Sequence, residues 1–462
     1  MNVAKILRDM HPTRIVAIAF TIVVLAGTGL LMLPLASATS TPLNFFDALF
    51  TSVSAVTVTG LSTIDVSTSF SLFGHVVIAF LIEIGGFGIV GFAALMGLLL
   101  EGRISLRNRM MTSSEASLGP SAQNIKGLLR SIAVFMLGFQ VILFGILFVR
   151  FLSTYDYPVG TAFGHGLFHA ISSFNNAGFA LYADSMIRFA RDPVVMVPIF
   201  VVVFLASLGF PVLVEIRERL VYAWRRWRNP KLGPHIPRQW SLNSRIVIWA
   251  SIVLGILGSL FIGALEWNNP ATLGPESLVD KITNSLFAGL MPRSAGFNSF
   301  DVAAMNPATW IGIEILMFIG GASASTAGGI KLGTFVVLIA VIYAEIRGEA
   351  AVNIGNRRLP RSMQRQALAI VAITATVVIA ATMLMRLTTN FTLDQIIFEV
   401  ISATGTVGLS SGISTQLPDH AKVLFSLLML FGRLGPIVVA TSLALRRTRR
   451  HFEYPRERPL IG

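Results

Sequence analysis

The 462-residue chain contains no cysteine, so disulfide scaffolds, thiol catalysis and zinc–thiolate sites are excluded. Charged residues are also scarce, because Asp, Glu, Lys and Arg together make up 13% of the sequence. Soluble proteins average about 25%. Hydrophobic residues reach 54%, and there are 40 glycines. This composition argues against a water-soluble enzyme and is typical of membrane helices, which tolerate more glycine than soluble helices do.

The hydrophobic residues are gathered into eight long runs, each of a length that suits a membrane helix of about 20 residues. Four shorter, half-apolar stretches lie between paired runs and are too short to span. The first run lacks the small-residue cleavage pattern of a signal peptide. The long runs occupy 15–36, 72–100, 131–152, 193–214, 246–265, 308–343, 366–385 and 422–445. The short stretches occupy 44–56, 162–174, 281–291 and 394–404.

The positions of the basic residues predict the orientation of the runs. Of 36 Lys and Arg residues, 27 lie in five segments that alternate with segments poor in basic residues. Cytoplasmic loops carry an excess of Lys and Arg, so both termini are predicted to be cytoplasmic. For the basic stretch 215–245, the sequence favours a topology signal with lipid headgroup contact over nucleic-acid binding or a dedicated docking site. The five basic segments are 1–14, 99–130, 215–245, 346–366 and 445–462.

Four glycines mark an internal repeat. Each short stretch runs into one of them, and successive glycines are 118, 118 and 112 residues apart. A large apolar residue follows each glycine, a small or β-branched residue precedes it, and serine stands six residues before three of the four. Several matching columns at constant spacing indicate a true repeat. The glycines are Gly60, Gly178, Gly296 and Gly408.

The repeat predicts an all-α polytopic membrane fold. Each unit is a long helix, a short half-membrane helix, a glycine loop and a second long helix. Four helix–pore-loop–helix repeats around a central pore give eight transmembrane helices and four re-entrant half-helices. The predicted segments are the cytoplasmic N-terminus 1–14, repeat one 15–100, repeat two 127–218, a basic cytoplasmic linker 219–245, repeat three 246–345, a basic cytoplasmic linker 346–365, repeat four 366–445 and a basic cytoplasmic tail 446–462.

The glycine loops are the predicted ion-binding site. Non-helical backbone at membrane depth is tolerated only where it is buried in protein or lines a cavity, which four converging loops achieve together. Their carbonyl oxygens can replace the hydration shell of a small cation. Glycine lets the chain turn a carbonyl inward, and half-helix C-termini carry partial negative charge. The predicted ligands are the backbones of Val58, Thr59, Gly60, Asn176, Ala177, Gly178, Ser294, Ala295, Gly296, Thr406, Val407 and Gly408.

Four loop sequences carry a family resemblance: Thr57-Val58-Thr59-Gly60-Leu61, Asn175-Asn176-Ala177-Gly178-Phe179, Arg293-Ser294-Ala295-Gly296-Phe297-Asn298 and Thr406-Val407-Gly408-Leu409-Ser410. They resemble the filter loops of the Trk/Ktr/HKT potassium-transport superfamily, over nearly the whole chain. The chain looks most like KtrB-type subunits, because it starts with the first repeat and lacks the two extra N-terminal helices of TrkH-type subunits.

The resemblance implies a potassium-translocating pore subunit of a bacterial inner membrane. It implies a homodimer regulated by a cytosolic nucleotide-binding ring of the KtrA/TrkA type, with K⁺ held at the filter residues and no covalent cofactor. Whether Na⁺ is an activator stays open. Serine in place of the first filter glycine marks sodium-preferring plant relatives, so Gly60 favours potassium. Membrane lipids are expected partners and nucleic acid is not.

A run of ten small residues interrupts the second long helix of the third repeat, and Arg433 lies in the last apolar run. Four glycines favour local unwinding, although small residues also suit a tight helix–helix contact. The resemblance implies an intramembrane gating loop here. A charge at this depth is costly, so Arg433 is predicted to face the pore; snorkelling is the alternative. The predicted gate consists of Gly320, Gly321, Ser323, Ser325, Thr326, Gly328, Gly329, Lys331 and Arg433.

Other charged residues lie near the loops or within the runs. Arg293 flanks the third glycine loop and is predicted to support the filter by capping backbone carbonyls, with Glu399 of the fourth short helix as its salt partner. Glu83 and Glu314 lie in long helices. For both, a hydrogen-bonded role in helix packing is favoured over a protonatable coupling site.

Two other functions remain as alternatives. An ion-coupled secondary transporter of another cation or small solute also uses broken helices, but typically with inverted or two parallel repeats. An intramembrane enzyme needs paired carboxylates or a histidine–metal cluster on facing helices. The seven histidines form no such pattern, and His165 and His169 have no evident third metal ligand. The sequence therefore predicts a pore and not an enzyme.

Overall fold

The computed structural model describes residues 12–87, 125–229 and 240–435. Some predicted segments lie outside the described residues. They are the tail 446–462, most of the N-terminal segment 1–14 and the C-terminal ends of the runs 72–100 and 422–445. Within them the chain is mainly α-helical, and the predicted all-α class needs one small correction. The linker 346–365 contains a β-hairpin of two-residue strands, with Gly355 at φ 55° in its turn. The strands are β1 (Asn353–Ile354) and β2 (Arg357–Arg358).

The helices follow one another in four groups of similar order. The first group is α1 (Pro12–Leu31), α2 (Phe45–Thr57), the single turn α3 (Val66–Ser69) and α4 (Leu72–Gly86). The second is α5 (Ile125–Thr154), α6 (Val159–Asn175), α7 (Pro193–Ser207) and α8 (Phe210–Arg228). The third is α9 (Leu242–Glu266), α10 (Leu278–Leu290), α11 (Pro307–Ile319) and α12 (Leu332–Ile346). The fourth is α13 (Arg361–Thr388), α14 (Leu393–Gly405) and α15 (Asp419–Leu434).

Helices α2, α6, α10 and α14 form where the sequence predicts short half-helices. Three of them are 13 residues long, or about 20 Å, which is less than the thickness of a hydrocarbon core. Side chains cap their N-termini: Asn44 and Ser277 accept from backbone N–H groups, and Thr392 forms a capping box with Gln395. These caps satisfy backbone donors and fix where each short helix begins.

Three of the described helices are long and apolar enough to cross a membrane: most of α5 (Arg130–Thr154), α9 and α13. Helices α7 and α8 qualify as a fourth only when they are taken together, and they are bent by 106°. Large apolar side chains on the outer faces of the long helices are exposed, as lipid-facing side chains would be.

The long helix predicted over the run 193–214 is interrupted, because it breaks after Ser207. Gly209 at the break has φ 85° and ψ 150°, a conformation open mainly to glycine. Pro211 then occupies the first turn of α8, where its missing N–H costs nothing. The sequence Gly-Phe-Pro thus ends one helix and starts another at a steep angle.

The four groups pack as a ring. Helix α2 contacts α1 and α4 of its own group and α15 of the fourth, so the ends of the chain meet. Helix α6 packs on α5 and α4, α10 on α9 and α7, and α14 on α13, α15 and α11. Each short helix is thereby enclosed by longer ones, and the C-terminal ends of the short helices come together inside the bundle.

Candidate functional site

Each short helix ends in a sharply turned loop. After α2, α6 and α14 the first residue of the loop takes a left-handed conformation. It is Val58 after α2 (φ 57°), Asn176 after α6 (φ 58°) and Thr406 after α14 (φ 47°). The next residue of each loop donates its backbone N–H to a carbonyl five residues earlier, at 2.8–2.9 Å. These bonds satisfy helix-end carbonyls and turn the chain back on itself. The three loops therefore share one backbone shape.

The four predicted glycines lie together and in cyclic order. Their φ values are 91°, 70°, 61° and 97°, all in the region that favours glycine. A Cβ atom on any of them would overlap a backbone carbonyl oxygen of the next loop around the ring. The contacts pair Gly60 with Ala177, Gly178 with Ala295, Gly296 with Val407 and Gly408 with Thr59.

This ring concentrates carbonyl oxygens and the negative ends of helix dipoles around one axis. Both features favour a cation over an anion or a neutral solute. Two residues before the glycines, the side chains of Asn176, Ser294 and Thr406 are buried, and their polar atoms have no hydrogen-bond partner among the described residues. Buried polar atoms without a partner are uncommon, so these positions mark a candidate binding site.

The serine that precedes three of the glycines by six residues holds its loop through the hydroxyl. Ser54 Oγ accepts from Gly60 N at 3.0 Å, and Ser402 Oγ accepts from Gly408 N at 3.2 Å. Ser172 Oγ instead donates to Phe179 O at 2.7 Å. The serine column of the sequence thus has a structural cause, since it ties the glycine loops to the helices that precede them.

The third loop is built differently. Leu290 replaces the serine, and Pro292 ends α10 in a 3-10 turn, Met291–Arg293. Ser294 has an extended φ of −163°, so it does not take the left-handed turn of the other loops. Arg293 is fully buried and donates to Ser251 O at 2.9 Å and to Ser251 Oγ at 3.1 Å. The side chain of Arg293 therefore ties this loop to α9.

The predicted ion pair between Arg293 and Glu399 is wrong, because the two described side chains bind different partners. The buried carboxylate of Glu399 accepts from Ser410 Oγ, from Ser411 N at 3.2 Å and from Ser414 Oγ at 3.2 Å. These groups all belong to the segment after Gly408. Glu399 thus holds the fourth loop from within its own repeat.

Glu83 lies behind the second loop in a network that the sequence suggested only as helix packing. Its Oε2 atom accepts from Gln140 Nε2 at 2.9 Å and from Asn175 Nδ2 at 2.8 Å. Asn175 is the last residue of α6 and directly precedes Asn176 of the ring. Gly86, one turn along α4, leaves the space that the Asn175 amide fills. This network joins α4, α5 and α6.

The small-residue segment 320–331 is a loop, and it lies directly against the fourth short helix. It separates α11 from α12 and begins at Gly320, with φ 70°. A Cβ on Gly328 would overlap Thr406 Oγ1 and Gly405 O. Lys331 closes the segment by donating to Ala327 O. The loop therefore lies at the C-terminal end of α14, next to the ring of glycine loops.

Arg433 joins three groups of the bundle. It is buried near the end of α15 and donates Nη1 to Thr326 O of the loop and Nη2 to Gly85 O of α4. Both acceptors are backbone carbonyls. The positively charged side chain of Arg433 is therefore bonded directly to the loop.

The sequence reading missed the second support of this loop. Ala322 N donates to Ser207 O at 3.0 Å, and Phe210 N donates to Ala324 O at 3.1 Å. The loop thus docks onto the open backbone groups at the break between α7 and α8, and a Cβ on Gly209 would lie 2.8 Å from Ser323 O. The Gly-Phe-Pro sequence was the available signal for this break.

Several known proteins are similar to this chain. The family model TrkH, described as a cation transport protein, matches residues 4–449. The Ktr system potassium uptake protein B of Bacillus subtilis is 36% identical, over 96% of this chain and 95% of that protein. The protein of the same name from Vibrio alginolyticus is 33% identical, over 97% and 94%.

Two further matches extend the comparison. The potassium/sodium uptake protein NtpJ of Enterococcus hirae is 30% identical over 99% of each chain. Among solved structures, the crystal structure of the potassium transporter TrkH from Vibrio parahaemolyticus has the same fold, with a TM-score of 0.70. That match covers 95% of this chain and 86% of the other at 18% identity.

Proposed function

Because the chain belongs to the TrkH family of cation transport proteins, we propose that it is the pore-forming subunit of a Ktr/Trk-type potassium uptake system. The observation that carries the proposal is the closed ring in which each filter glycine lies against a carbonyl of the next loop. Four loops of one chain that close a ring define a single axis, which suits one ion moving along it. The names of the two Ktr relatives support potassium as that ion.

The ring acts as a selectivity filter made of backbone. Backbone carbonyl oxygens replace the hydration shell of K⁺. The C-terminal ends of the short helices lower the energy of the cation further. The carbonyls belong to residues 58–60, 176–178, 294–296 and 406–408. Glycine is needed at the contact points because any side chain would displace a neighbouring carbonyl. Selectivity then depends on how rigidly the loops are held by Ser54, Ser402 and Arg293.

The loop 320–331 and Arg433 act as the gate. The loop lies against the fourth short helix, and the guanidinium puts a positive charge beside the cation path. A K⁺ ion leaving the filter meets both an obstruction and an electrostatic barrier. Opening requires the loop to withdraw from Thr406, which breaks the contact between Arg433 and Thr326. The anchors at Ser207 and Phe210 set how far the loop can move.

The membrane arrangement follows from the basic segments and the four groups. The chain has eight spanning segments and four re-entrant helices. The excess of Lys and Arg in alternate segments supports the cytoplasm as the side of both termini, and the protein lies in a bacterial inner membrane. It works as a homodimer. Its basic cytoplasmic face, which includes Arg357 and Arg358, meets a separate nucleotide-binding ring of the KtrA/TrkA type, in keeping with the system naming of the relatives.

The decisive experiment measures K⁺ entry into lipid vesicles that contain the purified chain, with and without a co-purified cytosolic ring protein. Growth rescue at low external K⁺, in cells without their own uptake systems, gives the same answer in vivo. We expect K⁺ entry down its own gradient. Entry that stops when Na⁺ and H⁺ gradients are collapsed would support coupled transport instead, and a solute carried in place of K⁺ would refute the proposal.

A further inference from the structure

Helix α8 leaves the bundle at a steep angle and at a defined depth. It is bent 106° from α7. Its side chain Glu215 accepts from Ser241 N at 3.1 Å and from Ser241 Oγ at 3.0 Å, directly before the start of α9. Helix α9 is one of the helices long enough to span. Helix α8 therefore runs along the level at which a spanning helix begins, which is the membrane boundary.

A cation–π contact also holds α8 at the level where α9 begins. The guanidinium carbon of Arg219 lies 4.0 Å from the ring centroid of Trp240, the residue just before the cap of α9. Tryptophan is enriched at membrane–water boundaries, where its ring and its N–H find apolar and polar surroundings. The first half of α8 is thus anchored, and its second half extends sideways from the anchor.

One face of the second half is apolar and uncovered. The stripe starts at Ile216, which is half-buried against the bundle, and continues through Leu220, Trp224 and Trp227 at intervals of four, four and three residues. The last three are 65%, 53% and 80% exposed. Two uncovered tryptophans beside an exposed leucine form a surface that requires an apolar partner.

The flanks of the stripe are cationic. Arg225, Arg226 and Arg228 are exposed, and the guanidinium carbon of Arg228 lies 5.2 Å from the Trp224 ring centroid. Aromatic residues on one face and arginines around it are the pattern of helices that lie in the boundary plane, with the apolar face about 5–10 Å deep. Anionic headgroups complement the arginines, because each basic residue near such a surface adds attraction.

We propose that α8 is an in-plane interfacial helix that seats its stripe among lipid acyl chains and binds anionic phospholipid headgroups through Arg225, Arg226 and Arg228. The proposal rests on the membrane arrangement of the proposed function but not on the ion that passes. A phospholipid surface is the occupant because the helix lies at the level where α9 begins and carries complementary charge. The contact would hold the α7–α8 break, and so one anchor of the gate loop, at fixed depth.

Depth can be measured directly because the native chain has no cysteine. The variants Leu220→Cys and Trp227→Cys place one nitroxide label on the stripe, and Glu218→Cys places one on the opposite, exposed face. Each is reconstituted in vesicles of phosphatidylcholine and phosphatidylglycerol, and label collisions with oxygen and with a water-soluble nickel chelate are compared. We expect the oxygen-to-nickel ratio to be several-fold higher at 220 and 227 than at 218.

Two outcomes would overturn the depth assignment. Equal, water-like ratios at all three sites mean that α8 projects into solution. Low collision rates with both reagents at 220 and 227 mean that another protein surface, such as a second copy of the chain, covers the stripe. Potassium entry is measured in the same vesicles. Its absence with the depth pattern intact would count against the proposed pore and leave the lipid contact standing.

Headgroup selectivity has its own test. A fluorophore at Leu220→Cys is quenched by brominated phosphatidylglycerol or by brominated phosphatidylcholine at equal bromine content. We expect the anionic lipid to quench at least about twofold more, and this preference to vanish when Arg225, Arg226 and Arg228 are all changed to Gln. The matched control changes Arg357, Arg358 and Arg361 to Gln and keeps the preference. Equal quenching in the parent chain would refute the headgroup site.

Discussion

Replacing Gly60 by Ser tests the filter where its geometry is tightest. The backbone of Gly60 has φ 91°, and a Cβ there would overlap Ala177 O and lie 3.1 Å from Gly178 Cα. A side chain in this conformation costs about 1–2 kcal/mol before any clash is counted. The overlap can be relieved only by moving the carbonyl of Ala177, which is a ligand of the proposed filter.

The expected effect follows from that displacement. If the energy spent on strain is lost from K⁺ coordination, about 1–2 kcal/mol corresponds to a factor of roughly 5–30 in an equilibrium constant. We therefore expect Gly60→Ser to lower the preference for K⁺ over Na⁺ by about this factor, with Na⁺ entry largely retained. The assay compares K⁺ and Na⁺ entry into vesicles that contain equal amounts of folded protein.

A matched control separates the filter from a general effect of adding a side chain. Gly145 lies within α5 with nothing within 4 Å of its Cβ position, so Gly145→Ser should leave selectivity unchanged. Gly178→Ser and Gly408→Ser should resemble Gly60→Ser, because they occupy equivalent contacts of the ring. A folded, active Gly60→Ser protein with the native K⁺/Na⁺ preference would refute the assignment of these carbonyls as the filter.

Three further predictions concern the groups that hold the filter and the gate. Deletion within 322–327, or Arg433→Ala, should raise K⁺ flux several-fold with selectivity retained. Lower flux in both variants, at equal expression, would show that the loop and Arg433 form the conduction path. Glu83→Ala should remove the acceptor of Gln140 Nε2 and one of the two acceptors of Asn175 Nδ2, which still donates to Ile171 O. At about 1–3 kcal/mol per lost partner, this change should lower both thermal stability and K⁺ entry. Glu83→Gln keeps an acceptor oxygen and should stay near native; equal loss in both variants would mean that the charge itself is required. Arg293→Lys and Ser251→Ala should each weaken selectivity without abolishing flux, and a native K⁺/Na⁺ ratio in both would exclude filter support through this pair.

The repeat made much of the site predictable from sequence. A glycine that must take a positive φ against a neighbouring carbonyl tolerates no substitute, so the same requirement appears four times at nearly constant spacing. The serine column was visible for the same reason, since Ser54 and Ser402 make equivalent bonds. The short helices were equally readable, because their lengths and caps depend on local sequence.

Contacts between distant segments were not predictable in the same way. Two buried charges, Arg293 and Glu399, were expected to pair. Arg293 instead donates to the carbonyl and hydroxyl oxygens of Ser251, and Glu399 accepts from serine hydroxyls and a backbone N–H of its own repeat. A single sequence identifies that a buried charge needs partners and does not identify which segments bring them. The break at Gly209 was hidden because the apolar run continues through it, and hydrophobicity reports burial and not helix direction.

The third repeat departs from the others at several linked positions. It lacks the serine, carries Pro292 and Arg293, and is followed by the loop 320–331, which is longer than the break at Gly209 in the second repeat. Without the hydroxyl bond and the left-handed turn, the glycine loop of this repeat is held by the hydrogen bonds from Arg293 to Ser251 of α9. A loop held from outside by a long side chain responds to movement of α9 more than a loop tied to its own helix does. Since α9 also contacts α8 through Ser241 and Ser244, displacement of α8 would reach both the anchor of the loop 320–331 and the glycine loop of the third repeat. In the proposed function the loop 320–331 is the gate and the glycine loop is part of the filter.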